Sequence, residues 1–180
     1  MSGPKMKLPL LAGVLALTAG CTSASASGSG AASSDVEALR AALDDEYRAE
    51  ATYVAVIAAF GDARPFINII EAERRHAARV KAEMDRLGIG YDPANPYLGT
   101  LAAPASLLAA CEQGVAAEIE NIALYDRLLP AIQDPQVRDT LVALQAASRD
   151  RHLPAFERCA ARGGAMGRGR GRGQGRQGSN

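Results

Sequence analysis

The chain has 180 residues, enough for one domain with tails at both ends. It is 48% hydrophobic but only 4% aromatic, which favours close-packed helices and argues against sheets rich in aromatic and β-branched residues. The formal net charge of zero hides an acidic middle and a basic end, because residues 33–161 hold 13 basic and 20 acidic side chains, a net of −7. This distribution argues against a nucleic-acid-binding fold, and we expect no specific nucleic-acid partner.

The first 20 residues have the features of an export signal. Lys5 and Lys7 precede an apolar run, residues 8–19, that is too short to span a bilayer. The stretch LTAGC that follows resembles a bacterial lipobox, which implies that Cys21 is lipidated and becomes the first residue of the mature protein. With the low-complexity tether at 21–34, the sequence predicts a membrane-anchored lipoprotein facing the periplasm or the cell exterior. The alternative is an ordinary secretory signal with a chance cysteine.

The middle of the chain has apolar residues at helical spacing throughout and predicts four helices. Asp35 is the predicted N-cap of the first helix, and Asp134 with Pro135 the cap and first residue of the fourth. The links within the first and second pairs of helices are short, so each pair is expected to form an antiparallel hairpin. The predicted helices span 35–60, 65–88, 104–129 and 134–161.

A link of sixteen residues, GIGYDPANPYLGTLAA, joins the second predicted helix to the third. Sixteen extended residues reach about 50 Å, whereas a helix of 24 residues is about 36 Å long, so the link can travel the length of the bundle. A long crossover between two hairpins is the connection of ferritin-like bundles. We therefore predict an all-α, ferritin-like four-helix bundle over residues 35–161. The alternative is a pair of hairpins joined by a loose surface loop.

The two hairpins carry related patterns of glutamate, tyrosine and histidine. In the first and third predicted helices, a glutamate precedes a tyrosine by seven residues, which is two turns along one face. The second helix contains Glu-x-x-His, and the fourth keeps the spacing with an arginine in place of the acid. The hairpins thus form a degenerate internal repeat. Its members are Glu46 with Tyr53, Glu73 with His76, Glu118 with Tyr125, and Arg149 with His152.

Carboxylates and imidazoles on inward faces of a bundle predict a metal site. Buried cationic charge must be offset by acidic ligands where water is excluded, and Glu-x-x-His places a carboxylate and an imidazole on one face. A mixed shell of oxygen and nitrogen suits iron or manganese. The alternative is that the glutamates are solvated surface acids and the histidines are neutral residues at the helix surface. The two tyrosines are expected to be core residues that hydrogen-bond to nearby carboxylates.

The phrases AERRH, ALYDRLL and RHLPAF resemble the motifs of a ferritin-like family called domain of unknown function 2202, and the glutamate–tyrosine spacing resembles rubrerythrin. The resemblance covers nearly all of residues 35–161. It implies a four-helix bundle, with oxidase, peroxidase or metal-handling chemistry as candidate activities. By position, it implies an iron or manganese cofactor held by Glu46, Glu73, His76, Glu118 and His152.

Arg149 departs from the pattern of this family. A full di-iron set has a glutamate at its position, and an arginine pointing inward would bind no metal and would pair with a remaining carboxylate. The resemblance therefore leaves three carboxylates and two histidines, which would hold one metal well or two poorly.

Apart from Cys21, the chain has two cysteines, Cys111 and Cys159. In an antiparallel hairpin, the residue numbers of two residues at equal height add up to a constant. The numbers of the two cysteines add up to the same value as those of Glu118 and His152. If those two residues are level, the cysteines are level too, and an exported protein lies where disulfides persist. We predict a Cys111–Cys159 disulfide near the end of the bundle. Two buried free thiols are the alternative, because helix axes are usually about 8–10 Å apart and bridged Cα atoms need less than about 7 Å.

Residues 162–180 are rich in arginine and glycine and are predicted to be disordered. On an exported protein, this tail would contact an anionic surface, and the alternative is a tail with no specific role.

The leading hypothesis is an exported metal-binding bundle, with or without enzymatic activity. The rival is a metal-free structural or interaction lipoprotein that uses the cationic tail as its contact. The sequence predicts no particular oligomeric state.

Overall fold

The computed structural model of the protein describes residues 31–165. The predicted export signal, the lipidation site Cys21 and most of the Arg/Gly-rich tail lie outside the described residues. The described part is helical without strands, and consists of α1 (Ser33–Phe60), α2 (Phe66–Leu87), α3 (Leu107–Leu128), a 3₁₀ turn (Leu129–Ala131), α4 (Pro135–Ala147), a π-helical segment (Ser148–His152) and α5 (Leu153–Ala161). The last three follow one another with helical backbone and form the fourth helix of the bundle. The predicted all-α bundle of two hairpins is confirmed.

The helix boundaries follow the local chemistry of the chain. Gly61 and Gly88 end α1 and α2 with positive φ angles of 72° and 68°, which only glycine adopts without strain. Asp134 caps α4 as predicted, because its carboxylate accepts the N–H groups of Gln136 and Val137. The third helix begins later than Pro104, since the Ser106 hydroxyl accepts the Ala109 N–H and caps α3 there.

The prediction that Asp35 caps α1 is wrong. The helix already begins at Ser33, and Asp35 lies buried in its first turn. The Asp35 carboxylate instead accepts the backbone N–H groups of Gln133 (2.8 Å) and Asp134 (3.1 Å). It therefore ties the start of α1 to the link before α4, a long-range contact that local capping rules do not reveal.

The crossover between α2 and α3 lies along α1. The Tyr47 hydroxyl donates to the carbonyls of Asp92 (2.9 Å) and Pro93 (3.1 Å), and the Asn95 side chain donates to the Tyr47 carbonyl (2.8 Å). Further along, the Tyr97 hydroxyl donates to the carboxylate of Asp44 on α1. These bonds fix the crossover to the bundle, so the alternative of a loose surface loop is wrong.

The core of the bundle has two apolar parts. One contains Leu39 and Val80 and packs the start of α1 against the end of α2 and the start of α4. The other contains Val56, Phe66 and Phe156 and lies at the opposite end. Between them is a layer of buried polar side chains. Within residues 31–165, none of the helices combines the length and the apolarity that a membrane span requires.

A disulfide between Cys111 and Cys159 joins α3 to α5, with Cα atoms 5.7 Å apart. The helices approach closely here because Gly114 has no side chain. A Cβ atom at this position would lie 2.5 Å from the Phe156 ring. The glycine explains how two helices come within the reach of a disulfide, which ordinary axis separations do not allow.

Candidate metal centre

The five residues predicted as metal ligands meet in the polar layer, and all four helices of the bundle contribute to the group. All are buried, with between 3% and 7% of each residue exposed. The alternative of solvated surface acids and surface histidines is therefore wrong. They are Glu46 on α1, Glu73 and His76 on α2, Glu118 on α3, and His152 at the end of the π-helical segment.

Glu73 lies at the centre of the group and faces both histidines. Its Oε2 is 2.9 Å from Nδ1 of His76, and its Oε1 is 3.1 Å from Nδ1 of His152. The two imidazoles stack with ring centroids 5.5 Å apart and an interplanar angle of 25°. One carboxylate thus directs one oxygen to each histidine.

The other two glutamates flank this central group, one on each side. Oε2 of Glu46 is 3.5 Å from Nδ1 of His76, and Oε1 of Glu118 is 3.6 Å from Nδ1 of His152. Each histidine therefore has its own outer carboxylate and shares Glu73 with the other histidine. The arrangement has approximate two-fold symmetry, which follows from the internal repeat.

The tyrosines cross between the hairpins. The Tyr53 hydroxyl on α1 donates to Glu118 on α3 (3.1 Å), and the Tyr125 hydroxyl on α3 donates to Glu46 on α1 (3.3 Å). The prediction that both tyrosines are core residues bonded to nearby carboxylates is confirmed. Since each bond joins the two hairpins, the pair fixes the outer glutamates relative to each other.

Burial and proximity shift the pKa values of these groups in opposite directions. Burial would raise the pKa of Glu73, but the neighbouring His152 and His76 imidazoles outweigh this effect and lower the pKa to about 2. Burial would lower the pKa of His152, but Glu118 and Glu73 beside the ring raise it to about 9. Burial and the neighbouring Glu73 raise the pKa of Glu46 well above its ordinary value. Near neutral pH, the proton on His152 thus offsets part of the negative charge that a bound cation would otherwise offset.

Two residues beside the site were not predicted from the sequence. Asp45 lies next to Glu46 on α1, and its carboxylate accepts a hydrogen bond from the Asn121 amide on α3. Burial raises the pKa of Asp45 to about 6. Asn121 lies three residues after Glu118, on the same face of α3, and this spacing is a signal that could have identified it.

Arg149 does not point into the site, although the second hairpin still has no acid at this position. Its side chain is exposed, and Ser148 is buried instead. The reason is the π-helical hydrogen bond from the Leu153 N–H to the Ser148 carbonyl, which spans five residues. The wider turn removes Arg149 from the face that carries His152. Pro154 lacks an N–H and crowds the preceding turn, so a proline inside a predicted helix was the sequence signal for this distortion.

The donor set could hold a metal ion. One ligand atom each of Glu73, His76 and His152 can be chosen so that all three lie within 4.8 Å of one another. Among residues 31–165, only three buried side-chain polar atoms lack a hydrogen-bond partner, and Nδ1 of His152 is one of them. That nitrogen is 3.1 Å from Glu73 but forms no hydrogen bond, so it is available as a ligand atom.

The sequence of this chain matches no protein family and no curated protein. The crystal structure of a hypothetical protein from Methanococcus jannaschii is similar to it, with a TM-score of 0.63 and 21% sequence identity. The match covers 72% of this chain and 81% of that chain. At this identity, it shows a shared fold. The helical bundle is therefore found in a second protein.

Proposed function

We propose that this protein binds iron or manganese in the buried site between its two hairpins. The observation that carries the proposal is the position of Glu73, which directs one carboxylate oxygen to each of two imidazole Nδ1 atoms. Three glutamates are buried together beside two imidazoles, and each buried carboxylate charge that no cation offsets costs several kcal/mol.

The residues that would hold the metal are Glu46, Glu73, His76, Glu118 and His152. A bound iron or manganese ion would supply redox or Lewis-acid chemistry at this position. The chain itself buries all five side chains, and it orients the outer glutamates through the two tyrosine hydroxyls. Oxidase, peroxidase and metal-storage roles are all compatible with this donor set.

The experiment is metal analysis of the protein purified from its native compartment, followed by anaerobic titration of the chelated protein with Fe²⁺ and Mn²⁺. We expect one or two ions per chain. Glu73→Gln keeps the size of the side chain but removes the negative charge that faces both histidines. It should weaken metal binding by more than about 100-fold, a larger loss than is typical for a residue that only hydrogen-bonds to a metal ligand.

Glu71→Gln is the matched control, because Glu71 lies on the same helix but is exposed and pairs with Arg74. It should leave binding unchanged. A metal content near zero that neither ion can raise would contradict the proposal and favour the rival hypothesis of a metal-free structural lipoprotein. Equal effects of the two substitutions would show that the ion binds elsewhere.

We also propose that the protein is exported and anchored through Cys21. The sequence features of residues 1–21 support this, and the Cys111–Cys159 disulfide is compatible with an oxidising compartment. Metabolic labelling with a fatty acid and membrane fractionation test the anchor. Cys21→Ala should abolish both labelling and membrane retention, whereas a wild-type protein without label would contradict the proposal.

A further inference from the structure

A cavity of about 160 Å³ lies between α1 and α3 and extends to the proposed metal ligands. Its walls include the exposed residues Gln113, Ala117 and Glu120 as well as the buried glutamates 46, 73 and 118. The cavity therefore connects the surface with the buried site. Small residues such as Ala49 and Ala110 line it and leave space for small ions.

The charge of the cavity favours cations. Among the described residues, five carboxylates and one guanidinium line it. The guanidinium belongs to Arg48, and it is already engaged by the Asp44 carboxylate at 2.8 Å and by the Tyr97 hydroxyl at 2.7 Å. The remaining negative charge is focused by low-dielectric walls, an arrangement that raises the local concentration of cations.

Asp45 and Asn121 stand together on this wall, outside the group of five buried ligands. Asp45 is half-buried, so its carboxylate lies between solvent and the buried layer. Asn121 is 7% exposed and lines the same cavity, and its Oδ1 is buried without a hydrogen-bond partner. The Asn121 Nδ2–H donates to the Asp45 carboxylate, so the unpartnered Oδ1 of the same amide lies near that carboxylate, and the pair offers two oxygen donors to a divalent cation.

We propose that Asp45 and Asn121 form a transient cation-binding station on the route by which divalent metal ions reach the buried site. This inference rests on the proposed function. Asp45 captures the ion from solvent, and the orphaned Asn121 oxygen provides a second donor while the ion sheds water. The ion then passes to the outer glutamates, Glu46 and Glu118, which line the same cavity. Asp45 acts on the rate of uptake, whereas the final affinity is set by the five buried residues.

The test follows uptake of Co²⁺ by the metal-free full-length protein in a stopped-flow spectrometer, using the ligand-field absorption of bound Co²⁺. Asp45→Asn should lower the second-order rate constant by about tenfold or more, the scale of electrostatic focusing, and leave the final absorbance unchanged. The rate of the variant should also depend less on salt. Glu112→Gln is the matched control, since Glu112 is an exposed acid on α3 that does not line the cavity. It should bind at the wild-type rate.

A second pair of variants tests the route without changing charge. Ala117→Leu narrows the cavity and should slow uptake and release to the same degree, with an unchanged dissociation constant. Ala116→Leu, the exposed neighbour outside the cavity, should change neither rate.

The outcomes separate the two proposals. If the wild-type protein takes up no Co²⁺, Fe²⁺ or Mn²⁺, the proposed function fails and this inference falls with it. If the wild type binds metal and both Asp45→Asn and Ala117→Leu bind at its rate, the access route is wrong while the metal site stands. A lower final absorbance in Asp45→Asn would make Asp45 a ligand of the final site and would overturn its role as a station.

Discussion

The two hairpins deliver the same kinds of side chain to the site but hold their histidines differently. In the first hairpin, His76 lies on a regular α-helix, with Glu73 one turn before it on the same face. In the second, His152 ends a π-helical segment, and the residue one α-helical turn before it, Arg149, is exposed. Glu73 contacts both imidazoles, so the second hairpin contributes a histidine without an acid of its own on that helix. The comparison teaches that an internal repeat can lose one acidic position and still form a closed, buried group.

The largest expected difference between the hairpins concerns stability, because only the second has a cross-link. Replacing Cys111 and Cys159 together by alanine should lower the free energy of unfolding by about 3–4 kcal/mol, since the disulfide closes a loop with a sequence separation of 48. Chemical denaturation measures this loss. Hydrogen exchange should accelerate in α3 and α5 more than in α1 and α2. A loss below about 1 kcal/mol would contradict the expected role of the bridge.

The second prediction concerns pH and the His152 half of the site. The pKa of His152 is raised to about 9, so metal binding near pH 7 must displace its proton. Metal affinity should rise by up to about tenfold per pH unit as pH increases towards 9, and His152→Ala should flatten this dependence. Competition with a chelator of known affinity measures it. An affinity that is constant between pH 7 and 9 would show that His152 does not exchange a proton for the ion.

The His152 imidazole gives the stability of the metal-free protein the opposite dependence on pH. The pKa of His152 is higher in the folded protein than its unfolded value of about 6.5. Its pairing with Glu73 and Glu118 therefore stabilises the fold, and this stabilisation is complete below about pH 6.5. This stabilisation is lost as pH rises through about 9. The metal-free protein should therefore become less stable over the range in which metal binding becomes stronger. Denaturation in the presence of a chelator measures the stability.

The third prediction uses the crossed tyrosines to test the symmetry of the halves. Tyr53→Phe and Tyr125→Phe each remove one hydrogen bond to a buried outer glutamate, so each should lower the free energy of unfolding by about 1 kcal/mol. The two losses should agree within about 0.5 kcal/mol. Denaturation of the metal-free variants measures both. Unequal losses would show that the two outer glutamates lie in different environments.

The smallest effect is expected at Arg149. Because its side chain is exposed, Arg149→Ala should change stability by less than about 0.5 kcal/mol and leave metal affinity unaltered. Titration of the variant with Mn²⁺ measures the affinity. An increase in affinity above about fivefold would place the arginine near the site, and the contrast between the π-helical and α-helical histidines would then be wrong.

Much of the fold could be predicted from the sequence because its signals are local. Helical spacing of apolar residues, the glycines at 61 and 88, and Asp134 before Pro135 each act within a few residues of their position. The length of the crossover limited the topology to a few alternatives. The repeat also identified the five residues that the bundle brings together, since glutamates and tyrosines two turns apart must share a face.

Other features depended on contacts that no local pattern contains. Asp35 has the residue type of a helix cap, but its carboxylate accepts N–H groups almost a hundred residues away, before α4. The cysteine bridge depended on how closely α3 and α5 approach, which Gly114 and Phe156 decide. The direction of Arg149 depended on a π-helical turn next to Pro154, which changes the face that each residue presents. The chain alone thus determined which side chains could form a site, because helical periodicity is a short-range property. Tertiary structure decided which of them face one another, because helix separation and rotation arise from packing between segments far apart in sequence.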